Sequence, residues 1–154
     1  MNIYTMSKII DRVVVQLNEA QDKMIVSGWG EASLNNTVVE KITYLSDELK
    51  VKGYIAYPKD DSKNYPCIIW NRGGIGNAGA IDKFTARGIY GQLASWGYCV
   101  FATQYRGNDG GEGYDDFGGD DVNDVLNLIP LADEIKQADK NIWGIEGWSR
   151  GGMM

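Results

Sequence analysis

The sequence predicts an α/β fold with a mostly parallel β-sheet, and three observations lead to this prediction. Residues 66–70 and 98–103 are continuously apolar, as in strands that are buried on both faces of a parallel sheet. Segments with helical spacing of apolar residues follow both runs. An alternating pair of strands precedes them and predicts an N-terminal antiparallel hairpin. The expected order is β-β-β-α-β-α-β.

Length and charge define the class of protein and exclude some partners. The 154 residues, with 44% hydrophobic and 23% charged content, are typical of one soluble globular domain. The formal net charge of −6, with basic residues scattered singly, argues against a nucleic acid or an anionic membrane as partner. No stretch approaches the roughly 20 apolar residues of a membrane span, and no signal peptide pattern is present. We expect a cytoplasmic protein.

The first sixty residues contain the hairpin and a less regular extension. Residues 7–24 fit either a helix or irregular structure, and residues 28–36 are expected to form a loop. Residues 38–45 and 49–58 are predicted to be the two strands, with one face towards solvent. The predicted division is therefore an N-terminal extension over 1–37 and an incomplete α/β domain over 38–154.

Glycines and acidic residues punctuate the middle of the chain. A glycine-rich turn over 73–79 leads into a helix predicted over 81–96, which Gly97 closes. The acidic loop 104–117 is long enough to suggest a role at a binding face. At the start of the next helix, which Pro130 is expected to divide, three aspartates are interpreted as caps and dipole partners: Asp120, Asp121 and Asp124. The last strand is predicted over 141–146.

Cysteine and tryptophan residues are assigned to the core. Cys67 and Cys99 lie inside apolar strands, which favours reduced core thiols over a disulfide. Two isolated cysteines in a chain without histidine give no metal-ligand spacing, and no cofactor is expected. The expected core tryptophans are Trp70, Trp96 and Trp143.

The last strand runs into a Gly-x-Ser-x-Gly sequence, the pattern of a nucleophile elbow. A serine on a tight strand-to-helix turn requires residues without side chains two positions before and after it, and Gly147 and Gly151 meet that requirement. Ser149 is therefore the candidate nucleophile. A helix beginning at Arg150 would direct the backbone N–H of Arg150 at a developing oxyanion.

The glycine-rich turn after the 66–70 strand has two interpretations. The backbone N–H of Gly73 or Gly74 could complete the oxyanion hole. Alternatively, residues 74–79 match the dinucleotide-binding pattern Gly-x-Gly-x-x-Gly, with Arg106 as a partner for a 2′-phosphate. The next strand ends without the acidic residue that would bind a ribose, so NAD(P) binding is the less favoured interpretation.

The chain contains no histidine, so it cannot form a Ser-His-Asp triad by itself. In hydrolases with this elbow the acid and the histidine follow the serine along the chain. We therefore expect the N-terminal part of a longer hydrolase, with the strand at 141–146 left as a sheet edge. Such an edge is expected to associate with a second chain or with another copy.

From about residue 38 onward the sequence resembles the catalytic domain of the prolyl oligopeptidase family of serine peptidases, within the α/β-hydrolase superfamily. The resemblance is carried by the segments 53–58, 65–74, 104–107 with Gly113, 117–122 and 147–152. It implies an α/β-hydrolase-like fold truncated after the elbow, with Ser149 as nucleophile and the Arg150 amide in the oxyanion hole. Arg72 stands where the family often has Tyr or His.

These observations together predict a serine hydrolase that forms an acyl-enzyme with a small peptide, amide or ester substrate. Arg72 and Trp148 are candidates for the lining of the substrate pocket. The alternative is a catalytically inactive fragment or an interaction module, which the missing histidine motivates.

Overall fold

A computed structural model describes residues 7–154, and a six-stranded mixed sheet forms its centre. The strand order is β1-β2-β3-β5-β4-β6. The strands are β1 (Ile9–Val14), β2 (Thr37–Ser46), β3 (Leu49–Pro58), β4 (Tyr65–Asn71), β5 (Cys99–Thr103) and β6 (Ala138–Gly147). The helices are α1 (Glu19–Trp29), α2 (Glu31–Asn35), α3 (Lys83–Thr85), α4 (Gly91–Ser95) and α5 (Val122–Leu126).

The continuously apolar strands form the parallel part of the sheet, as predicted. β4 lies between β5 and β6 and is parallel to both. β3 joins the N-terminal hairpin to this part through antiparallel pairing with β5. The α/β fold and the hairpin are therefore confirmed. The carboxyl ends of β4, β5 and β6 lie at the same end of the sheet.

The N-terminal residues have more regular structure than the sequence predicted. Residues 9–14 form an edge strand antiparallel to β2, and α1 begins at a capping box between Asn18 and Gln21. The prediction of a loop over residues 28–36 is wrong, because α1 continues to Trp29 and α2 follows it. The domain boundary between residues 37 and 38 stays a prediction, although β1 belongs to the same sheet.

Both faces of the hairpin are largely covered. The prediction that one face is exposed to solvent is therefore wrong beyond residue 52. Residues 53–56 of β3 are buried. One face packs with α5 in a core that includes Ile55, Phe101 and Leu128. The other packs under the helical segment 83–95, around Tyr90.

That helical segment has three parts, with α3 and α4 flanking a π-helical stretch (Ala86–Tyr90). It confirms the helix predicted over 81–96, and Gly97 ends it with φ of +94°. Trp29 of α1 packs on Gly88, where an added Cβ would lie 2.7 Å from the indole ring. The predicted core position of Trp96 is wrong, because 64% of this side chain is exposed.

The other core predictions hold at the cysteines and in part at the tryptophans. Cys67 and Cys99 are buried and free, and burial raises the pKa of each thiol to about 12. Trp70 is buried, and Trp143 packs partly buried against the core near Phe101.

β6 forms one edge of the sheet, and its ten residues are mostly exposed. Ile142 and Ile145 are 55% and 67% exposed. A 3₁₀ helix (Ile129–Glu134), with Pro130 in its first turn, precedes β6, and another (Ser149–Gly152) follows it. None of the helices within residues 7–154 has the length and apolar character needed to cross a membrane.

Candidate functional site

Ser149 lies on a tight turn directly after β6, in a backbone conformation that L-residues rarely adopt. Its φ is +53°, in the left-handed region. An added Cβ on Gly147 would lie 2.1 Å from the carbonyl oxygen of Gly151, and one on Gly151 would lie 2.1 Å from that of Asn71. Both positions therefore require glycine, as the elbow pattern predicted.

A 3₁₀ helix (Ser149–Gly152) begins at the candidate nucleophile, directly after the elbow turn. The first backbone N–H groups of a helix have no partner within that helix and can donate to a developing oxyanion. The role of the Arg150 N–H as such a donor stays a prediction.

The glycine-rich turn after β4 contacts this elbow. An added Cβ on Gly73 would lie 2.9 Å from the carbonyl oxygen of Trp148 and 3.3 Å from the Cβ of Ser149. At Gly74, φ is +74°, and a Cβ there would lie 1.9 Å from the carbonyl oxygen of Ala78. Gly73 therefore contacts the elbow at the candidate nucleophile, and Gly74 lines the same cavity as Ser149. The role of both glycines as oxyanion-hole donors stays a prediction.

Arg72 supports the glycine-rich turn from beneath. Its side chain is fully buried and donates hydrogen bonds to the carbonyl oxygens of Gly73, Gly76 and Gln104 at 2.8–3.2 Å. The guanidinium also lies over the ring of Tyr105, 5.1 Å from its centroid. Burial lowers the pKa of Arg72. The predicted pocket residue therefore contributes to the pocket wall, while its charged group holds the loop.

The side chain of Arg150 is the centre of a buried ionic cluster next to the nucleophile. It is 1% exposed and donates to Asp115 at 2.7 and 3.1 Å, and also to Asp121. Its guanidinium lies between the rings of Tyr105 and Phe117, with centroid distances of 4.3 and 4.7 Å. A further hydrogen bond of 3.0 Å goes to the carbonyl oxygen of Gly74 in the glycine-rich turn. This cluster connects the elbow to both loops.

Asp121 and Asp124 stand at the N-cap and in the first turn of α5, as predicted, but both are buried partners of arginines, and the side chain of Asp121 does not cap the helix. Asp121 accepts from Arg150 and from the Gly118 N–H, and no side-chain cap begins α5. Asp124 is fully buried and accepts from the backbone N–H and the guanidinium of Arg106. Asp120, the third residue of this group, is exposed.

Asp115 carries the charge that the acidic loop brings to the site. Burial alone would raise the pKa of this carboxyl. Hydrogen bonds from Arg150, Asn108 and the backbone N–H of Gly76 and Phe117 outweigh burial, and the pKa lies well below its ordinary value. Asp115 is therefore ionised at neutral pH. Sequence reasoning did not single it out, although its loop was expected at a binding face.

Arg106 is fully used by acidic side chains, which weakens the dinucleotide interpretation. Its guanidinium donates to Asp124 and to Asp47, and these hydrogen bonds raise its pKa. A 2′-phosphate would have to compete with both carboxylates. The loop 74–79 also folds back on itself at Gly74.

A cavity of 500 Å³ opens beside Ser149. Its walls are mainly apolar and include Trp70, Ile81, Ile89 and Trp148, together with the glycine-rich turn and Arg72. Trp148 is 73% exposed, so it borders the mouth and is not packed in the core. Both predicted pocket residues, Arg72 and Trp148, thus line one cavity with the candidate nucleophile.

The described part of the chain offers the serine no histidine and no metal. Histidine is absent from the whole sequence. Within residues 7–154 no group of three or more acidic or cysteine side chains could hold a metal ion. A histidine base for Ser149 would have to come from outside these 154 residues.

Comparisons with known proteins agree with this geometry. No family model matches the chain. It is 41% identical over 113 residues to the uncharacterized peptidase YtmA of Bacillus subtilis (strain 168), which corresponds to 73% of this chain and 42% of that protein. The chain thus matches less than half of this relative's length.

Two solved structures illustrate the structural likeness. Acylaminoacyl peptidase of Pyrococcus horikoshii is 25% identical with a TM-score of 0.54, over 73% of this chain and 19% of that one. Esterase Est22 is 19% identical with a TM-score of 0.60, over 86% of this chain and 42% of that one. The chain therefore has the α/β-hydrolase fold, and its predicted resemblance to the prolyl oligopeptidase family is confirmed.

Proposed function

We propose that Ser149 is the nucleophile of a serine hydrolase that cleaves a peptide, amide or ester bond through an acyl-enzyme. The observation that carries this proposal is the left-handed backbone at Ser149, between two glycines whose positions admit no side chain. Strain of this kind costs about 1–3 kcal/mol and persists where function requires it. The same turn places Ser149 in the wall of the apolar cavity, where a nucleophile would meet a bound substrate.

The surrounding groups suit acyl transfer. The backbone N–H groups of Arg150 and of Gly73 or Gly74 would stabilise the oxyanion, and the adjoining apolar cavity would hold the substrate beside Trp148. The base and its orienting acid would be supplied from outside this chain. The finer assignment, to serine peptidases of the prolyl oligopeptidase family acting in the cytoplasm, is part of the same proposal.

Esterase activity is as compatible with the site as peptidase activity. The relatives include a protein named as a peptidase and a structure named as an esterase. Both reactions use the same nucleophile and oxyanion hole, so the geometry of Ser149 does not separate them.

The test is covalent labelling of the protein purified from its native source with a fluorophosphonate. We expect labelling of Ser149, which Ser149→Ala abolishes and which the exposed helix variant Ser27→Ala leaves unchanged. The 154-residue chain should show no turnover of a p-nitrophenyl ester, because it lacks a histidine base.

An unlabelled native protein, or labelling that survives Ser149→Ala, would refute the nucleophile. Either result would favour the alternative, an inactive fragment or an interaction module. The partner of such a module would be a second chain, or another copy of this chain, that pairs with β6.

A further inference from the structure

A second cavity lies at the opposite end of the sheet from Ser149. Its volume is 380 Å³, and it lies between the end of β1, the helices α1 and α2, the start of β2 and the end of β3. The strand register shows which end of the sheet this is. Thr37 at the start of β2 pairs with Pro58 at the end of β3, whereas Gly53 of β3 pairs with Thr103, at the end of the sheet where Ser149 lies. Apolar side chains form much of the wall: Val15, Leu17, Leu34 and Val38.

Arg87 lies in this cavity wall and has no anionic partner within residues 7–154. The residue is 5% exposed, and its guanidinium donates only to neutral oxygens of Leu34 and Thr37, at 2.5–3.3 Å. It forms no ion pair with any carboxylate within residues 7–154. The first six residues contain no Asp or Glu that could supply one. A buried charge without a counter-ion is costly.

The other charged groups of the cavity do not neutralise Arg87. Lys59 also lines the cavity, and its ammonium group donates to the carbonyl oxygen of Asn35 at 2.7 Å. Asp22 is the acidic residue of the wall. Burial lowers the pKa of Arg87, and the field of Asp22 opposes this only in part. Two cations therefore face one carboxylate, in a protein whose formal net charge is −6.

The backbone around Arg87 is also unusual. Arg87 belongs to the π-helical stretch, a geometry that occurs frequently at functional sites. The Arg150 guanidinium in the same protein shows the contrasting arrangement, since two carboxylates bind it.

We propose that this cavity binds a small monocarboxylate with an apolar body, whose carboxylate pairs with Arg87 and Lys59. A planar guanidinium matches the two oxygens of a carboxylate, and the ligand would supply the missing negative charge. The valine and leucine side chains would contact its hydrocarbon part. This proposal does not depend on the chemistry of Ser149.

The test is a titration of the full protein, as its gene encodes it, with benzoate at constant ionic strength, followed by methyl chemical shifts in NMR spectra. Benzamide, which has the same shape without the charge, is the matched ligand. We expect benzoate to bind at least about tenfold more tightly than benzamide, the factor that a charged hydrogen-bonded pair contributes. The affected methyl groups should be those of the cavity wall.

Variants separate the two cations from general charge effects. Arg87→Gln should remove the preference for benzoate, and Lys59→Gln should weaken benzoate binding several-fold while leaving benzamide binding unchanged. Because Arg87 is buried and its replacement can disturb folding, the exposed Lys59 carries the test independently. Lys63→Gln, a loop lysine outside the cavity wall, is the control and should change neither ligand.

Three results would overturn the proposal. These are benzamide binding as tight as benzoate binding, inorganic phosphate binding as tight as benzoate binding, and an absence of saturable benzoate binding below about 50 mM. Benzoate binding that Lys59→Gln leaves unchanged would also contradict it.

Discussion

Replacing Arg150 with methionine tests whether the ionic cluster beside Ser149 holds the elbow in place. The substitution keeps an apolar stem between Tyr105 and Phe117 but leaves Asp115 and Asp121 without their cation. Removing one partner of a buried ion pair costs about 3–5 kcal/mol, because the remaining charge stays buried. For a domain of this size the melting temperature should fall by roughly 6–20 °C.

The assay is thermal and urea unfolding, followed by tryptophan fluorescence. Adding Asp121→Asn to Arg150→Met should recover about 1–3 kcal/mol, since it removes the uncompensated charge, whereas Asp121→Asn alone should destabilise the protein. The control is Lys23→Met, which breaks a pair with Glu19 in which both side chains are more than three-quarters exposed. It should cost about 0.5 kcal/mol or less. A loss below about 1 kcal/mol for Arg150→Met, additive with Asp121→Asn, would refute the reasoning.

Three further expectations concern the elbow, acid stability and the thiols. Gly151→Ala would bring a Cβ to 2.1 Å from a β4 carbonyl oxygen and should destabilise the protein by at least about 1–3 kcal/mol, whereas Gly144→Ala, whose Cβ would have its nearest contact at 3.8 Å, should be nearly neutral in urea unfolding. Because folding lowers the pKa of Asp115, its contribution is present above the unfolded value of about 3.9 and is lost as pH falls through the folded value; Asp115→Asn should therefore flatten the decline of the melting temperature in acid. Cys67 and Cys99, with pKa values of about 12, should react with iodoacetamide at pH 8 about 1000-fold more slowly than in urea, and equal rates would contradict their burial.

The sequence predicted the strands whose composition admits one interpretation. β4 and β5 are short, continuously apolar runs, which few environments other than a doubly covered strand can accommodate. β1 was missed because an edge strand buries little, and Val13 and Val14 are more than half exposed. The start of α1 was readable, since Asn18 and Gln21 have capping-box spacing.

In the candidate site, too, the sequence predicted some features and could not predict others. Ser149 and its two flanking glycines could be identified from the sequence, because the steric requirements of the turn involve only the five residues 147–151. The partners of Arg150 could not be identified, since Asp115 and Asp121 lie 35 and 29 positions away along the chain. An aspartate before a helix fits a cap by itself, and only the tertiary structure shows which cation it neutralises.

The start of β1 has a consequence for the order of events during synthesis. The carboxylate of Glu134 accepts hydrogen bonds from the backbone N–H groups of Lys8 and Ile9, across 126 and 125 positions of the chain. The β2–β3 hairpin closes over a two-residue turn, Asp47 and Glu48, and can pair as soon as it leaves the ribosome. β1, in contrast, keeps two unpaired amides until the 3₁₀ helix that carries Glu134 has emerged. Chaperones that protect nascent chains would therefore encounter residues 8–9 as an open strand end while the intervening residues are being made.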